Sequence, residues 1–220
     1  MQVVEGGKSY YSSRYTANDT LSYGMFMDCR NLREIALPNT IKVVEKDAFK
    51  GCTGLTVLTI PDEVRSFASL EGCSSLQEFR VSVMNSGFTA EDGILYDKGR
   101  KTLLLYPEGR VQAVFEIPDG VEKIAECAFQ NALVDTLRMT HSVVGLGLQA
   151  FRGARLKKVV LSDGIATIPG AVFQGCTGLR SVTLGSGTMY ISDYCFDGCV
   201  LEELRVLADI PPACASKAFE

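Results

Sequence analysis

LKKVVLSDGIATIPGAVFQGCTG, residues 156–178, is one unit of a pattern that returns before and after it. It holds an apolar triplet (Leu156, Val159, Leu161), a turn (Ser162-Asp163-Gly164), an apolar pair (Ile165, Ile168), an aromatic anchor (Phe173) and a small residue three places on, Cys176. Working outward, the anchor sets the register. Phe129, Phe151, Phe173, Phe196 and Phe219 follow one another at intervals of 22, 22, 23 and 23 residues, and Phe26 and Phe49 are 23 apart, with Leu70 another 21 on. The slot three residues past the anchor is Cys29, Cys52, Cys73, Ala132, Ala154, Cys176 and Cys199, so it takes a small side chain. A fixed period of this length marks a repeat architecture, and reading it first prevents the fold from being misassigned.

The triplet recurs as Leu32, Ile35, Leu37; Leu55, Leu58, Ile60; Leu76, Phe79, Val81; Val134, Leu137, Met139; Leu179, Val182, Leu184; and Leu201, Leu204, Val206. Side chains alternate between the faces of a strand, so the last two members point inward, the residue between them points out, and the first turns the chain into the strand. Pro38-Asn39, Pro61-Asp62, Pro118-Asp119-Gly120 and Ser186-Gly187 stop each strand, because proline has no ladder donor and Asp-Gly accepts tight turns. One such coil cannot close its own core, but stacked coils bury a continuous one with their strands side by side in a parallel sheet. The chain is expected to be a solenoid.

The register breaks once, since 59 residues separate Leu70 from Phe129. Ile94–Tyr96 and Lys101–Tyr106 read as two strands joined by Asp97-Lys98-Gly99-Arg100, with Gly99 supplying a positive φ, which predicts an inserted β-hairpin over about 88–109. Nothing beside it is rich enough in glycine, serine or proline for a linker, so 1–220 reads as one domain.

Composition narrows the function. With 46% hydrophobic residues the chain can bury a core, and 22 Lys plus Arg against 26 Asp plus Glu leave a net charge of -4, which gives no basic field for nucleic acid or anionic lipid. The amino-terminal MQVVEGGKSYYSSRY has no apolar core of the kind a secretory signal needs, and no apolar run approaches membrane-spanning length.

The runs Ala48-Phe49-Lys50-Gly51-Cys52-Thr53-Gly54-Leu55 and Ala171-Val172-Phe173-Gln174-Gly175-Cys176-Thr177-Gly178-Leu179 resemble the BspA-like leucine-rich repeat family. So do the segments Asp92–Tyr96, Leu105–Gly109 and Asp209–Pro212. The resemblance covers most of the chain and implies an α/β leucine-rich-repeat solenoid: a parallel sheet of short strands, a few short helical turns and the one inserted hairpin. It further implies a cell-surface or extracellular location and a protein ligand, such as a host matrix or cell-surface protein, for adhesion. The chain departs from the general leucine-rich consensus where an Asn or Cys is usual four residues after the strand, since Ile41 and Ile165 stand there. An asparagine ladder is therefore not expected.

Each candidate for chemistry has a plainer explanation. Five of the eight cysteines fill the small-residue slot, where a free thiol acts as a small buried hydrophobe. Cys127, Cys195 and Cys214 lie off it, and Cys195 with Cys199 is a single close pair with no histidine near, which is short of a zinc set. The one histidine, His141, falls in a turn without a nucleophile or orienting acid at a fixed place. Gly145-Leu146-Gly147 lacks the third glycine of a phosphate loop, and Glu91-Asp92 and Glu202-Glu203 diverge to opposite strand faces. No catalytic, cofactor-binding or metal-ligating residue is assigned, and the chain reads as non-enzymatic.

A binding role falls on the outward strand positions, of which Glu34, Arg80, Arg138, Lys158 and Arg205 carry charge. Tyr96 and Tyr106 of the insertion form a second candidate surface. The expected function is a protein-binding or adhesion module. The alternative is a structural spacer or a segment of a longer repeat protein that self-associates through the solenoid ends.

Overall fold

The computed structural model describes residues 2–5, 8–11, 19–68 and 70–220, so part of the amino-terminal stretch read for a signal lies outside the described residues. The chain forms two compact units: 1–99 with 107–110, and 100–106 with 111–220.

In the first unit the strands are β1 (Gln2–Glu5), β2 (Lys8–Tyr11), β3 (Thr20–Leu21), β4 (Leu32–Ile35), β5 (Val43–Val44), β6 (Val57–Ile60), β7 (Ser66–Phe67), β8 (Glu78–Val81), β9 (Phe88–Glu91) and β10 (Ile94–Asp97). Each coil contributes one longer strand from its triplet and one two-residue strand before its anchor. The longer strands β6 and β8 pair in parallel with Leu58 beside Phe79 and Ile60 beside Val81. The short strands β3, β5 and β7 form a second parallel ladder. Antiparallel β1 covers the edge of β4, with β2 beyond it; covering an edge removes unpaired backbone groups from water.

The second unit holds β11 (Thr102–Leu105), β12 (Val111–Glu116), β13 (Lys123–Ile124), β14 (Leu133–Arg138), β15 (Gly145–Leu146), β16 (Lys158–Val160), β17 (Thr167–Ile168), β18 (Ser181–Leu184), β19 (Tyr190–Ile191), β20 (Glu203–Val206) and β21 (Ala213–Cys214). The longer strands make one parallel sheet in the order β12-β14-β16-β18-β20. Across it Phe115, Leu137, Val159, Val182 and Leu204 align in a single inward row.

The anchors stack as the period requires. Phe26 and Phe49 lie 5.4 Å apart in the first unit. In the second, the rings of Phe129, Phe151, Phe173, Phe196 and Phe219 follow at 5.2, 5.2, 5.5 and 5.2 Å. The column has one more member. Tyr106 stacks on Phe129 at 5.0 Å, and its amide donates to the Ala128 carbonyl (2.8 Å), as the Phe129 amide does to Ala150 (2.7 Å). Tyr106 is therefore the anchor of a coil that the phenylalanine spacing misses, and β12 is that coil's long strand.

Two sequence expectations are corrected here. Among the described residues there is no α-helix, and the α/β label with its helical turns gives way to an all-β solenoid of parallel strands. The reason lies in the residues flanking each anchor. Two before it, Asp47, Cys127, Gln149, Ala171 and Tyr194 have φ of 54–59°; two after it, Gly51, Gly72, Gly153, Gly175 and Gly198 have φ of 68–80°. Left-handed residues on both sides prevent a right-handed helix from propagating, and the amides between them donate to the next coil: Phe173 to the Cys195 carbonyl (2.9 Å) and Gly175 to that of Asp197 (2.8 Å).

The second correction concerns the insertion. The antiparallel ladder joins β9 and β10, not 94–96 and 101–106, and it turns at Asp92-Gly93. Both turn residues have positive φ, 48° and 74°, the requirement of the tight hairpin turn whose twist matches the strands. Arg100, not Gly99, takes the left-handed conformation (φ 56°), and β11 runs parallel to β13 as an ordinary short strand.

The consensus position four residues past each strand is apolar except at Thr188, whose Oγ1 donates to the Ile165 carbonyl one coil back (3.1 Å), and at Asn85. Asn85 is buried; its Nδ2 donates to the Pro61 (2.7 Å) and Val64 (3.0 Å) carbonyls of the preceding coil, and its Oδ1 accepts from the amides of Gly87 and Phe88 (both 2.8 Å). A single asparagine thus makes the inter-coil bonds of a ladder once, at the exit toward the β9–β10 pair.

Candidate protein-binding face

Outward side chains of the longer strands form a face in each unit. In the first, Glu34 and Ala36, Val57 and Thr59, and Arg80 line a concave groove of about 630 Å³, floored and rimmed by Ile35, Asn39, Pro61 and Asp62. Glu34 and Arg80 are exposed, and the Arg80 guanidinium is paired with Glu78 from the same strand. Two carboxylates and one guanidinium therefore border a surface whose middle is small and weakly polar.

In the second unit the strand register produces two outward rows. One runs Val114, Thr136, Lys158, Ser181, Glu203; the other runs Glu116, Arg138, Val160, Thr183, Arg205. Arg138, Lys158 and Arg205 all lie on this face and all are exposed, as the alternation of strand side chains requires. The Ser181 hydroxyl donates to Glu203 Oε2 (3.0 Å) and Arg205 Nη2 donates to Oε1 (2.8 Å). Those bonds, the serine's first, hold the Glu203 carboxyl below its usual range. Beside the face, Asp135 accepts from Arg155 and Lys157 (both 3.0 Å), and the lysine bond is the largest cause of its lowered pKa.

Tyr96 and Tyr106 leave the candidate list. They are 1% and 3% exposed, and Tyr106 packs on Phe115 (5.2 Å) with its hydroxyl donating to Gln112 Oε1 (3.1 Å). Aromatic residues in an apparent insertion turned out to be core because one of them is an anchor. Val114 and Glu116 join the face instead. Counting 23 residues back from Phe129 reaches Tyr106, and Phe115-Glu116-Ile117-Pro118 repeats the end of the triplet and its stop; those two signals mark the coil.

The remaining chemistry candidates resolve into packing. The slot thiols donate one coil back to the carbonyl of an anchor: Cys52 to Phe26 (3.1 Å), Cys73 to Phe49 (3.2 Å), Cys176 to Phe151 (3.0 Å) and Cys199 to Phe173 (3.1 Å). Burial pushes Cys73 and Cys176 up to about 12 and Cys199 to about 11, and raises Cys195 as well, which is the opposite of nucleophile activation. A Cβ on Gly147 would fall 2.2 Å from the Glu126 amide nitrogen, so this glycine permits close approach of adjacent coils. His141 is an exposed turn residue. Among the described residues no three His, Cys, Asp or Glu side chains are grouped to hold a metal ion, and no helix is long and apolar enough to cross a membrane.

The model of the BspA-type leucine-rich repeat region matches in six copies over residues 17–90 and 111–219. The chain belongs to the BspA-type leucine-rich repeat family. The interval the repeats leave uncovered contains the turn of the β9–β10 pair and its second strand, β10. No curated protein matches the sequence. Among solved structures, a leucine-rich cell surface protein from Faecalibacterium prausnitzii is similar at 25% identity and a TM-score of 0.66 over 87% of this chain and 58% of that one. The pneumococcal vaccine antigen PcpA is similar in fold, at 20% identity and a TM-score of 0.72 over 92% of this chain and 56% of its own. This BspA-type chain thus spans a little over half the length of either neighbour.

Proposed function

We propose that this BspA-type repeat protein is a non-enzymatic protein-binding module of the adhesion type, acting at a cell surface or outside the cell through the outward face of its longer strands. One observation carries the reading. In the second unit the inward row of β12, β14, β16, β18 and β20 is given to the core, while the two outward rows, apart from Val114 and Val160, keep charged and small polar side chains in fixed register. A rigid array of this kind binds an extended protein surface with little ordering cost. The structure of a cell surface protein at 25% identity supports the location, and the one-domain reading of 1–220 belongs to the same proposal.

The test is binding of the 220-residue chain to an array of purified extracellular-matrix proteins by surface plasmon resonance, followed by charge reversal at Arg138, Lys158 and Arg205 and, separately, at Glu34 and Arg80. Loss of about tenfold or more in affinity from one of these sets is expected, as for charge changes at an interface. Captured ligand whose affinity neither set alters would move the site off the strand face.

A further inference from the structure

We infer that the groove of the first unit takes a short extended segment of a partner protein, one that carries a cationic side chain two residues from an apolar one. The inference rests on the strand-face reading and adds the chemistry of the occupant. Three strands, β4, β6 and β8, carry the groove. It is bounded on both sides: β1 pairs with β4, and at the other edge the Phe79 amide of β8 donates to the Gly93 carbonyl of the β9–β10 turn (2.8 Å). Three strands at about 4.8 Å make a face about 14 Å wide, which about four residues of extended chain cross. None of the lining residues is aromatic, so the groove offers no ring for a base or a sugar to stack on.

Charge and an exposed apolar pair select the segment. Glu34 and Asp62 border the groove, and among the described residues neither carboxylate makes a hydrogen bond or an ion pair, while the Arg80 guanidinium is offset by Glu78. The uncompensated charge is negative, which favours a lysine or arginine. The register that sets Ile60 beside Val81 brings Asp62-Glu63 beside Val83-Met84. At this turn other coils place polar or small residues, Asn39-Thr40, His141-Ser142 and Asp163-Gly164, whereas Val83 and Met84 are 90% and 73% exposed. They are also held in place. The Met84 amide donates to Ser82 Oγ (3.2 Å), the Asn85 amide to the Ser82 carbonyl (3.0 Å), and the Asn85 side chain to the coil before. Two apolar side chains fixed in water beside an open carboxylate make a contact that costs little ordering on binding. In an extended segment, residues two apart share a face about 7 Å from each other, so a cation on Asp62 lays its apolar neighbour over Val83, and Glu34 takes a second cation.

Fluorescence anisotropy of the 220-residue chain tests this in about 0.15 M salt, where exposed charges farther apart than about 8 Å are largely screened. The probe is a labelled hexapeptide of two lysine-threonine-valine repeats; its comparators carry glutamate for lysine or serine for valine. Saturable binding of the first probe alone is expected. Asp62→Lys should weaken it about tenfold and make the glutamate comparator the better ligand, Glu34→Lys should weaken it less, and Val83→Ser with Met84→Ser about fivefold. Unchanged melting temperatures verify folding, and Asp62→Asn with Glu34→Gln repeats the test should a reversal lower them. Arg138→Glu with Lys158→Glu, in the second unit, should leave the affinity as it is. A probe that does not bind, or whose affinity the groove and turn variants leave unmoved, overturns the proposal. A glutamate comparator that binds the wild type equally well assigns a different occupant and overturns it too. Matrix-protein capture abolished by reversals in the second unit, with the probe unbound, would overturn this inference and leave the strand-face reading standing.

Discussion

The coil around Phe173 and the coil around Phe219 share a sequence pattern and differ in burial. Phe173 is fully buried, and so are Val182 and Leu184 of the strand that follows it; Phe219 is 52% exposed, and Leu204 and Ile210 of the coil leading to it are 37% and 81% exposed. Their rings nonetheless sit at the same spacing from the preceding anchor, 5.2 Å for both. The pattern therefore folds a coil, while the neighbour on each side supplies the burial. Stability in such an array is a property of the interface between coils, and the two coils give the means to measure it.

The largest expected effect sets these anchors against each other. Phe173→Ala removes a ring packed between Phe151 at 5.2 Å and Phe196 at 5.5 Å, and should cost about 3–5 kcal/mol in chemical denaturation, the range for buried phenylalanine truncations. Phe219→Ala removes a half-exposed ring with one stacking partner and should cost about 1 kcal/mol. Equal costs would mean that both coils are buried alike in solution, and the comparison would fail.

A smaller effect tests the backbone beside the anchor. Gly175 has φ 73°, and a Cβ there would meet nothing nearer than 3.8 Å. The cost of Gly175→Ala is therefore one of left-handed strain alone, about 1 kcal/mol. At Ala171, φ 56°, the opposite exchange to glycine relieves that strain and should stabilise by a few tenths of a kcal/mol, after the entropy glycine adds to the unfolded chain is subtracted (about 0.5–1 kcal/mol). Thermal melts of the two variants should move in opposite directions.

Much of this was legible in the chain. The period of Phe129, Phe151 and Phe173 specified the ring column, and the triplets specified which strand residues face inward, because both depend on spacing alone. What was not legible depended on identity within a slot. Tyrosine serves as an anchor at Tyr106, so a search for phenylalanine placed its coil in an insertion and its ring on the surface. Gly99 drew the hairpin turn one strand too late, because the Asp92-Gly93 pair that makes the turn shares its chemistry with ordinary coil turns such as Asp163-Gly164. The helical turns were excluded by φ values at Ala171 and Gln149, residue types that carry no left-handed signal. The outward rows could be read from alternation, but Val114 and Glu116 could not be added until β12 was recognised.

The thiols carry the comparison to the smallest effect, one absent at neutral pH. Cys176 is buried in its slot and Cys214 is exposed. Burial raises Cys176, like Cys73, from 9.0 to about 12. A group whose folded pKa lies above its unfolded value binds its proton more tightly in the native state. Its contribution is therefore fully present below pH 9 and is lost as the pH rises toward 12, since the unfolded chain then releases protons that the folded chain retains. Melting temperature should accordingly be insensitive to these cysteines at pH 7–8 and fall steadily above pH 9. Replacing Cys73 and Cys176 with alanine, the residue already used in the same slot at Ala132 and Ala154, should flatten that decline, whereas Cys214→Ala should leave it unchanged. Thiol-reactive dye at pH 8 should label Cys214 in the folded protein and reach Cys176 only on unfolding. Rapid native labelling of Cys176 would show that the coils around Phe173 open as readily as the exposed one, and that their neighbours do not protect them.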